Sequence, residues 1–322
     1  LRVSHPRTPV IMFSSLTELG AAATLDALSR GASDFFAKPG GTGGLEASRK
    51  LIRDELVPAI RALCRREPKA IKPAVPSSLR PARESPGASG ILATNPARSV
   101  SPTAAPSGAA SATAGASSSG PPSLQSSASR VDLLAIGAST GGPNALTEVF
   151  AALPADFPVP IVVVQHMPPM FTQFFAEQLA KKSRIPTVEA KSGAAVEPGG
   201  AWLAPGDFHL TLVRDGTAIR TKLSQEEREN ACRPAVDPLL RSVAHLYGRN
   251  CLTVILTGMG QDGLRGCEAI RAAGGQIIVQ DEATSVVWGM PGAVAKAGLA
   301  DKVMPLSLIA GEIVRRVRHG RG

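Results

Sequence analysis

Short apolar, β-branched runs alternate with longer amphipathic stretches along most of this chain, the pattern of strands buried in a parallel sheet and of helices that cover it. Three runs stand out in the C-terminal part: residues 132–136 (DLLAI), 160–165 (PIVVVQ) and 252–257 (LTVILT), each followed by a Gly-rich or polar turn. Residues 143–153 predict a helix, because Leu146, Val149, Phe150 and Leu153 fall at i, i+3, i+4 and i+7 behind a proline in the first turn. Further strands are predicted at 200–204, 209–213, 218–222 and 276–280. Together they give an α/β fold with a doubly wound, mostly parallel sheet and a hairpin-like insertion around 200–222. The N-terminal part follows the same alternation, with strands at 9–14 and 33–37 and helices at 20–29 and 45–64. The last helix should place Leu51, Leu56, Ile60 and Leu63 near one face. Two strands and two helices are half a domain, with sheet edges and apolar faces left to cover.

Composition separates these two regions. Residues 101–130 hold 10 Ser, 8 Ala, 4 Pro and 3 Gly, and Leu124 is their only large aliphatic side chain. Such a segment buries too little to offset its ordering entropy, and the Pro-rich basic stretch before it is of the same kind. The expected organisation is therefore a unit at 1–66, a disordered linker at 67–130 and a second unit at 131–322. The net charge of +9 divides as +4, +4 and +1 over these three segments, so the largest unit is nearly neutral. With aromatic residues at 4%, neither a basic footprint nor a base-stacking platform is available, and nucleic acid is not an expected partner. No apolar run reaches the ~18 residues of a membrane span and the chain opens without a signal-peptide pattern, which predicts a cytoplasmic protein without membrane insertion. Cys64, Cys232, Cys251 and Cys267 lie far apart with no histidine at ligand spacing, so reduced thiols are expected rather than disulfides or a metal site.

Ligands of an open parallel sheet sit beyond the carboxyl ends of its strands, and the residues there are Ser139, His166 and Asp262. The first lies in Gly137-Ala138-Ser139-Thr140-Gly141, a Gly-x-Ser-x-Gly turn between strand and helix. Small neighbours let such a turn lift a serine hydroxyl into the open, and the free amides of the helix start can receive an oxyanion. A nucleophile, a base and an orienting carboxylate thus fall at three strand ends. Each has a plainer reading: a Gly-rich turn also cradles phosphate, a histidine at a strand end is often solvated, and Asp-Gly is a common turn. A dinucleotide site would place an acidic residue at the end of the second strand, where this chain has Gln165-His166. The order Ser, His, Asp also departs from the Ser, acid, His order of α/β-hydrolases. His209, His245, His5 and His319 are assigned packing or solvent roles, Met259, Met290 and Trp288 core filling ahead of pocket lining, and residues 225–229 a solvated face.

GASTGG at 137–142, VVQHMPP at 163–169, CRPAVDPLL at 232–240, ILTGMGQDG at 255–263 and QDEATSVVWGMPGAVAKAGLAD at 280–301 closely resemble the catalytic domain of chemotaxis response-regulator protein-glutamate methylesterases, the CheB type. The resemblance covers essentially all of 131–322 and implies Ser139, His166 and Asp262 as the triad, the same three residues that the strand ends select. It implies hydrolysis of glutamate methyl esters on the cytoplasmic helices of methyl-accepting chemotaxis receptors, often with glutamine deamidation, without cofactor or metal. The amides of Thr140 and Met259 are the oxyanion candidates. PVIMFSSLTELGAAATLDALSRGASDFFAKP at 9–39 looks like the second half of a flavodoxin-like receiver domain, with Ser14 at the switch hydroxyl, Phe35 at the switch aromatic and Lys38 as the phosphate-pairing lysine. A chemotaxis histidine kinase is the partner this implies, but the family's phosphate-accepting aspartate would precede residue 1. A truncated chain that phosphorylation does not switch is the expectation. Two further departures are the long linker and Cys232, where family members often carry histidine. The competing readings are a receptor-binding module without turnover and a phosphate-binding α/β module built on the 137–142 turn.

Overall fold

The computed structural model of the chain describes residues 3–5, 8–15, 17–38, 44–64, 130–319 and 321. The linker inferred at 67–130 lies outside the described residues except for Arg130. The N-terminal segment runs β1 (Ile11–Ser14), α1 (Glu18–Ser29), β2 (Asp34–Ala37), α2 (Gly44–Leu51) and α3 (Val57–Cys64), with β1 and β2 paired in parallel. The single helix expected over 45–64 is broken by a π-helical turn at Ile52–Leu56. That wider turn rotates the apolar face, so Ala59 and Leu63 are buried while Ile60 is 42% exposed.

The larger region begins with β3 (Leu133–Ala138), α4 (Gly142–Ala152), β4 (Ile161–Gln165), α5 (Phe171–Lys182), β5 (Thr187–Glu189) and β6 (Ala201–Leu203). A hairpin follows, β7 (His209–Asp215) and β8 (Ala218–Ser224), then α6 (Val236–Tyr247) and β9 (Cys251–Ile255). The chain closes with α7 (Leu264–Ala272), β10 (Gln276–Gln280), α8 (Met290–Lys296), β11 (Lys302–Met304) and α9 (Leu306–Arg318). Seven strands form one sheet in the order β11-β10-β9-β3-β4-β6-β5, and every pairing in it is parallel. The doubly wound fold is as expected, with one correction to the insertion. The strand expected at 200–204 pairs with β4 and β5 inside the main sheet, and only β7 and β8 form the antiparallel hairpin. The short strands β5 and β11 have too few residues to register in the apolar pattern.

Alternate residues of the strands feed two apolar layers. Leu134, Ile136, Ile161, Val163 and Val254 pack with α4, α5 and α9, while Leu133, Ala135, Val162, Val164 and Ile255 pack with α6, α7, α8 and the hairpin. Leu146, Val149, Phe150 and Leu153 are all buried, as their spacing requires, and each contributes about 1.5–3 kcal/mol by leaving water. The first layer also takes in Ala21, Leu25, Leu28 and Phe35 of the N-terminal segment. Phe35 stacks on Phe171 at the start of α5, with ring centroids 4.9 Å apart and an interplanar angle of 7°. Asn144 of α4 donates to the carbonyl of Ala32 at 3.0 Å. The half-domain therefore covers its faces by sharing the core of the larger unit.

Candidate active site

β3 lies between β4 and β9, and the order of chain progression reverses across it. Loops leaving the carboxyl ends of β3 and β9 must diverge there, which opens the crevice where open α/β sheets bind ligands. Ser139 follows β3 directly, His166 follows β4, and Asp262 ends the loop between β9 and α7. The three meet. Ser139 Oγ is 3.1 Å from His166 Nδ1, and His166 Nε2 is 2.8 Å from Asp262 Oδ2. A carboxylate facing Nε2 fixes the proton on that nitrogen, so the Nδ1 lone pair is left toward the serine.

Close packing sets the serine turn. A side chain at Gly258 would bring its Cβ to 2.8 Å from the Cβ of Ser139, and one at Gly137 would meet Val236 Cγ1 at 2.7 Å, so glycine is required at both. The Ser139 amide donates to the Thr257 carbonyl at 3.0 Å, which ties the ends of β3 and β9 together. The apolar run predicts a strand that extends to Thr257, but β9 ends at Ile255. Thr257 is instead a buried turn residue whose hydroxyl donates to the Thr140 carbonyl at 2.9 Å and accepts from the Val287 amide at 2.9 Å. Gln165, also buried, donates through Nε2 to the carbonyls of Ser139 and His166 at 3.0 and 3.1 Å. One side chain thus holds the backbone of both residues.

Asp262 is 1% exposed and fully partnered. Besides His166 it accepts from the amides of Val236 (2.6 Å), Asp237 (3.2 Å) and Gly263 (3.0 Å) and from Asn230 Nδ2 (2.9 Å). Burial pushes its carboxyl up, but His166 and the amides at the start of α6 outweigh burial and hold it below the usual carboxylate range. Asn230 Nδ2 also donates to Asp237 Oδ2 at 2.9 Å, and burial next to the Asp262 charge holds Asp237 above its ordinary value. His166 has a second neighbour on the serine side, Cys232, whose Sγ is 3.4 Å from Nδ1. Burial opposes protonation of the imidazole, yet Cys232 and Asp262 together push it up to about 10.

Asn230, Cys232 and Gln165 are the residues of this cluster that pattern reading missed. Asn230 and Cys232 sit in a polar loop with no strand or helix period, next to residues 225–229, of which Gln225 to Arg228 are exposed as expected. Two successive positive-φ residues, Asn230 (50°) and Ala231 (63°), turn that loop into the site; asparagine tolerates that conformation, but nothing in the residue type announces it at Ala231. The remaining candidates fall elsewhere. Met290 is core, Met259 is half-buried, and Trp288 donates Nε1 to the Gln280 carbonyl at 3.0 Å. His209 is buried and structural, accepting the Ala235 amide at Nδ1 and bonding the Glu227 carbonyl through Nε2, while His5, His245 and His319 are exposed. Among the described residues, no acceptor pairs with the amide of Thr140 or of Met259.

Residues 134–313 match the CheB methylesterase family. The chain belongs to that family. A protein-glutamate methylesterase/protein-glutamine glutaminase of Trichodesmium erythraeum is 44% identical over 317 residues, covering 98% of this chain and 80% of the relative. One of the same name from Nocardioides is 43% identical over 321 residues, covering 100% of this chain and 78% of the relative. The crystal structure of the Thermotoga maritima CheB methylesterase catalytic domain is 42% identical with a TM-score of 0.57, and the match covers 58% of this chain and 99% of that one. This CheB family member is thus a hydrolase whose relatedness extends through the N-terminal segment. Among its described residues, no helix is long and apolar enough to cross a membrane.

Proposed function

We propose that this protein is a serine esterase that removes methyl groups from glutamate side chains of chemoreceptor cytoplasmic helices, with Ser139 as nucleophile, His166 as general base and acid, and Asp262 as the group that orients the imidazole. The same site serves deamidation of glutamine, in keeping with the methylesterase/glutaminase names of its relatives. His166 Nδ1 takes the Ser139 proton as Oγ bonds to the ester carbonyl carbon, and Asp262 stabilises the imidazolium through Nε2. Collapse of the tetrahedral intermediate breaks the bond to the methoxy oxygen, which leaves as methanol with the proton from Nδ1. Water, deprotonated by Nδ1, then hydrolyses the acyl-enzyme and returns the proton to Ser139. For glutamine the leaving group is ammonia. The unpaired amides of Thr140 and Met259 are the oxyanion donors in this reading, each typically worth ~3 kcal/mol.

The observation that carries the reading is the unbroken Ser139 to His166 to Asp262 hydrogen-bonded chain at the switch point of the sheet. A phosphate cradle is less well supported, because the Gly142 amide is spent inside the turn on the Ser139 carbonyl at 2.6 Å. The test is methanol release from glutamate-methylated receptor cytoplasmic fragments. Ser139→Ala is expected to lower it by at least about 10⁴-fold with the fold retained. Release that survives this substitution overturns the assignment, and binding without release by the unaltered protein would favour a silent receptor-binding module.

A further inference from the structure

The serine-facing nitrogen of His166 has two claimants. Ser139 Oγ lies 3.1 Å and Cys232 Sγ 3.4 Å from the same Nδ1, and a neutral imidazole offers one lone pair there. The thiol is held in place by its own loop. The Cys232 amide donates to the Glu229 carbonyl at 2.8 Å, Arg241 of α6 clamps the Glu229 carboxylate with both guanidinium nitrogens, and the positive-φ pair Asn230-Ala231 turns the backbone toward the crevice. On the far side, Arg233 is anchored to Asp207 at 2.7 and 3.1 Å. Because Asn230 donates to Asp262, this one tripeptide reaches both ends of the imidazole relay, the acid through an amide and the base through a thiol.

We propose that Cys232 is a positioning residue of the esterase, which competes with Ser139 for His166 Nδ1 and so decides when the imidazole is free to take the serine proton. The inference rests on the Ser139, His166 and Asp262 reading above. Two arrangements with the same number of protons are available. In one the thiol and imidazole are both neutral and Nδ1 accepts the Ser139 hydroxyl. In the other the thiol proton has moved to Nδ1, giving a thiolate beside an imidazolium that cannot act as a base. The groups facing the ring are Asp262 from the loop before α7, Cys232 from the loop before α6 and Ser139 from the turn after β3. Asp237 and Arg241 of α6 stand behind Asp262. Of these, Asp262 favours the imidazolium from the Nε2 side, and in the second arrangement the charge on Cys232 does so from the serine side.

The sign follows. A base whose protonated form is favoured becomes available only at higher pH, so the acid limb of kcat/KM is displaced to the alkaline side. The test is the pH dependence of methanol release between pH 6 and 10.5, measured on the full chain and on its Cys232→Ala, Cys232→Ser and Ser139→Ala variants with methylated receptor fragments. Neither alanine nor a serine hydroxyl forms an anion in this range. Both Cys232 variants are expected to move the acid limb toward acid by at least about one on the pH scale, which raises activity at pH 7 about tenfold or more, with a plateau within about threefold of the parent. A plateau that falls while the limb stays where it was would assign Cys232 a packing role alone and overturn the proposal. An active Ser139→Ala variant would instead remove the triad reading itself, so the two failures are distinguishable.

Discussion

β4 is buried along its whole length, with helices over both faces of the sheet, whereas β1 is half-buried and leaves Phe13 45% exposed beneath the Lys38 ammonium, 5.9 Å from its ring centroid. Both strands lie in parallel pairs and both are legible as apolar runs in an alternating strand and helix pattern. The difference comes from what stands beside them. Seven strands supply two faces wide enough for two helical layers, while two strands supply a narrower patch, whose Phe35 side is covered by α1 and the larger unit's own helices. Alternation therefore encodes the type of each element, and the number of neighbouring strands decides whether a region has its own core.

The largest effect that would sharpen this contrast lies at the shared stack. Phe171 is fully buried in the first layer, so Phe171→Ala is expected to cost about 3–5 kcal/mol in urea unfolding of the whole chain. Phe35→Ala should cost less, and the double substitution should reveal a coupling of about 0.5–1.5 kcal/mol. A coupling near zero would show that the N-terminal segment does not depend on that face.

The next test uses charge. Asp34 in β2 is buried, and burial, only partly offset by the Phe35 amide and the Thr140 hydroxyl, raises its carboxyl from 3.8 to about 7. A raised folded-state value contributes stability that is complete below the ordinary value and is lost as pH rises through the folded one. Packing of the N-terminal segment is thus expected to be tightest below about pH 4 and to loosen progressively from there until pH passes about 7. Asp34→Asn should remove this slope and gain about 1–2 kcal/mol at pH 8, read by hydrogen exchange in α1. A slope that persists in the variant would place the titrating group elsewhere.

The smallest effect concerns activity. Residues 131–322 hold the seven-stranded sheet and every residue of the Ser139 cluster, and residues 134–313 within them match the CheB methylesterase family. A fragment 131–322 is expected to release methanol at least as fast as the whole chain, by no more than a few-fold. A fragment that folds but is slower would mean that the N-terminal contacts at Ala32 and Asp34 support the serine turn.

Ser139, His166 and Asp262 are legible because each follows an apolar run, and the end of a buried parallel strand is where function is found in this fold class. The apolar spacing of 143–153 likewise specifies α4 to within one residue at each end. β5 and β11 escape because three residues form no period, and residues 200–204 are misplaced in the hairpin because a strand's sequence does not name its partner. The π turn inside residues 45–64 has no compositional signal, and it moves Ile60 out of the apolar face.

What the sequence alone determined is local: which of the longer segments are strands or helices, and which reactive residue type follows each apolar run. Side-chain periodicity and turn chemistry act over a few residues, so they are complete in the linear order. What the tertiary structure decided is company. His166 and Asp262 are 96 residues apart and meet because β3 stands between β4 and β9. Asn230 and Cys232 join them because two positive-φ residues turn a polar loop inward, and the first amides of α6 converge on Asp262 because that helix packs beneath β3 and β9. Such contacts depend on strand order and on the shape of a packed core, which no short window of sequence contains.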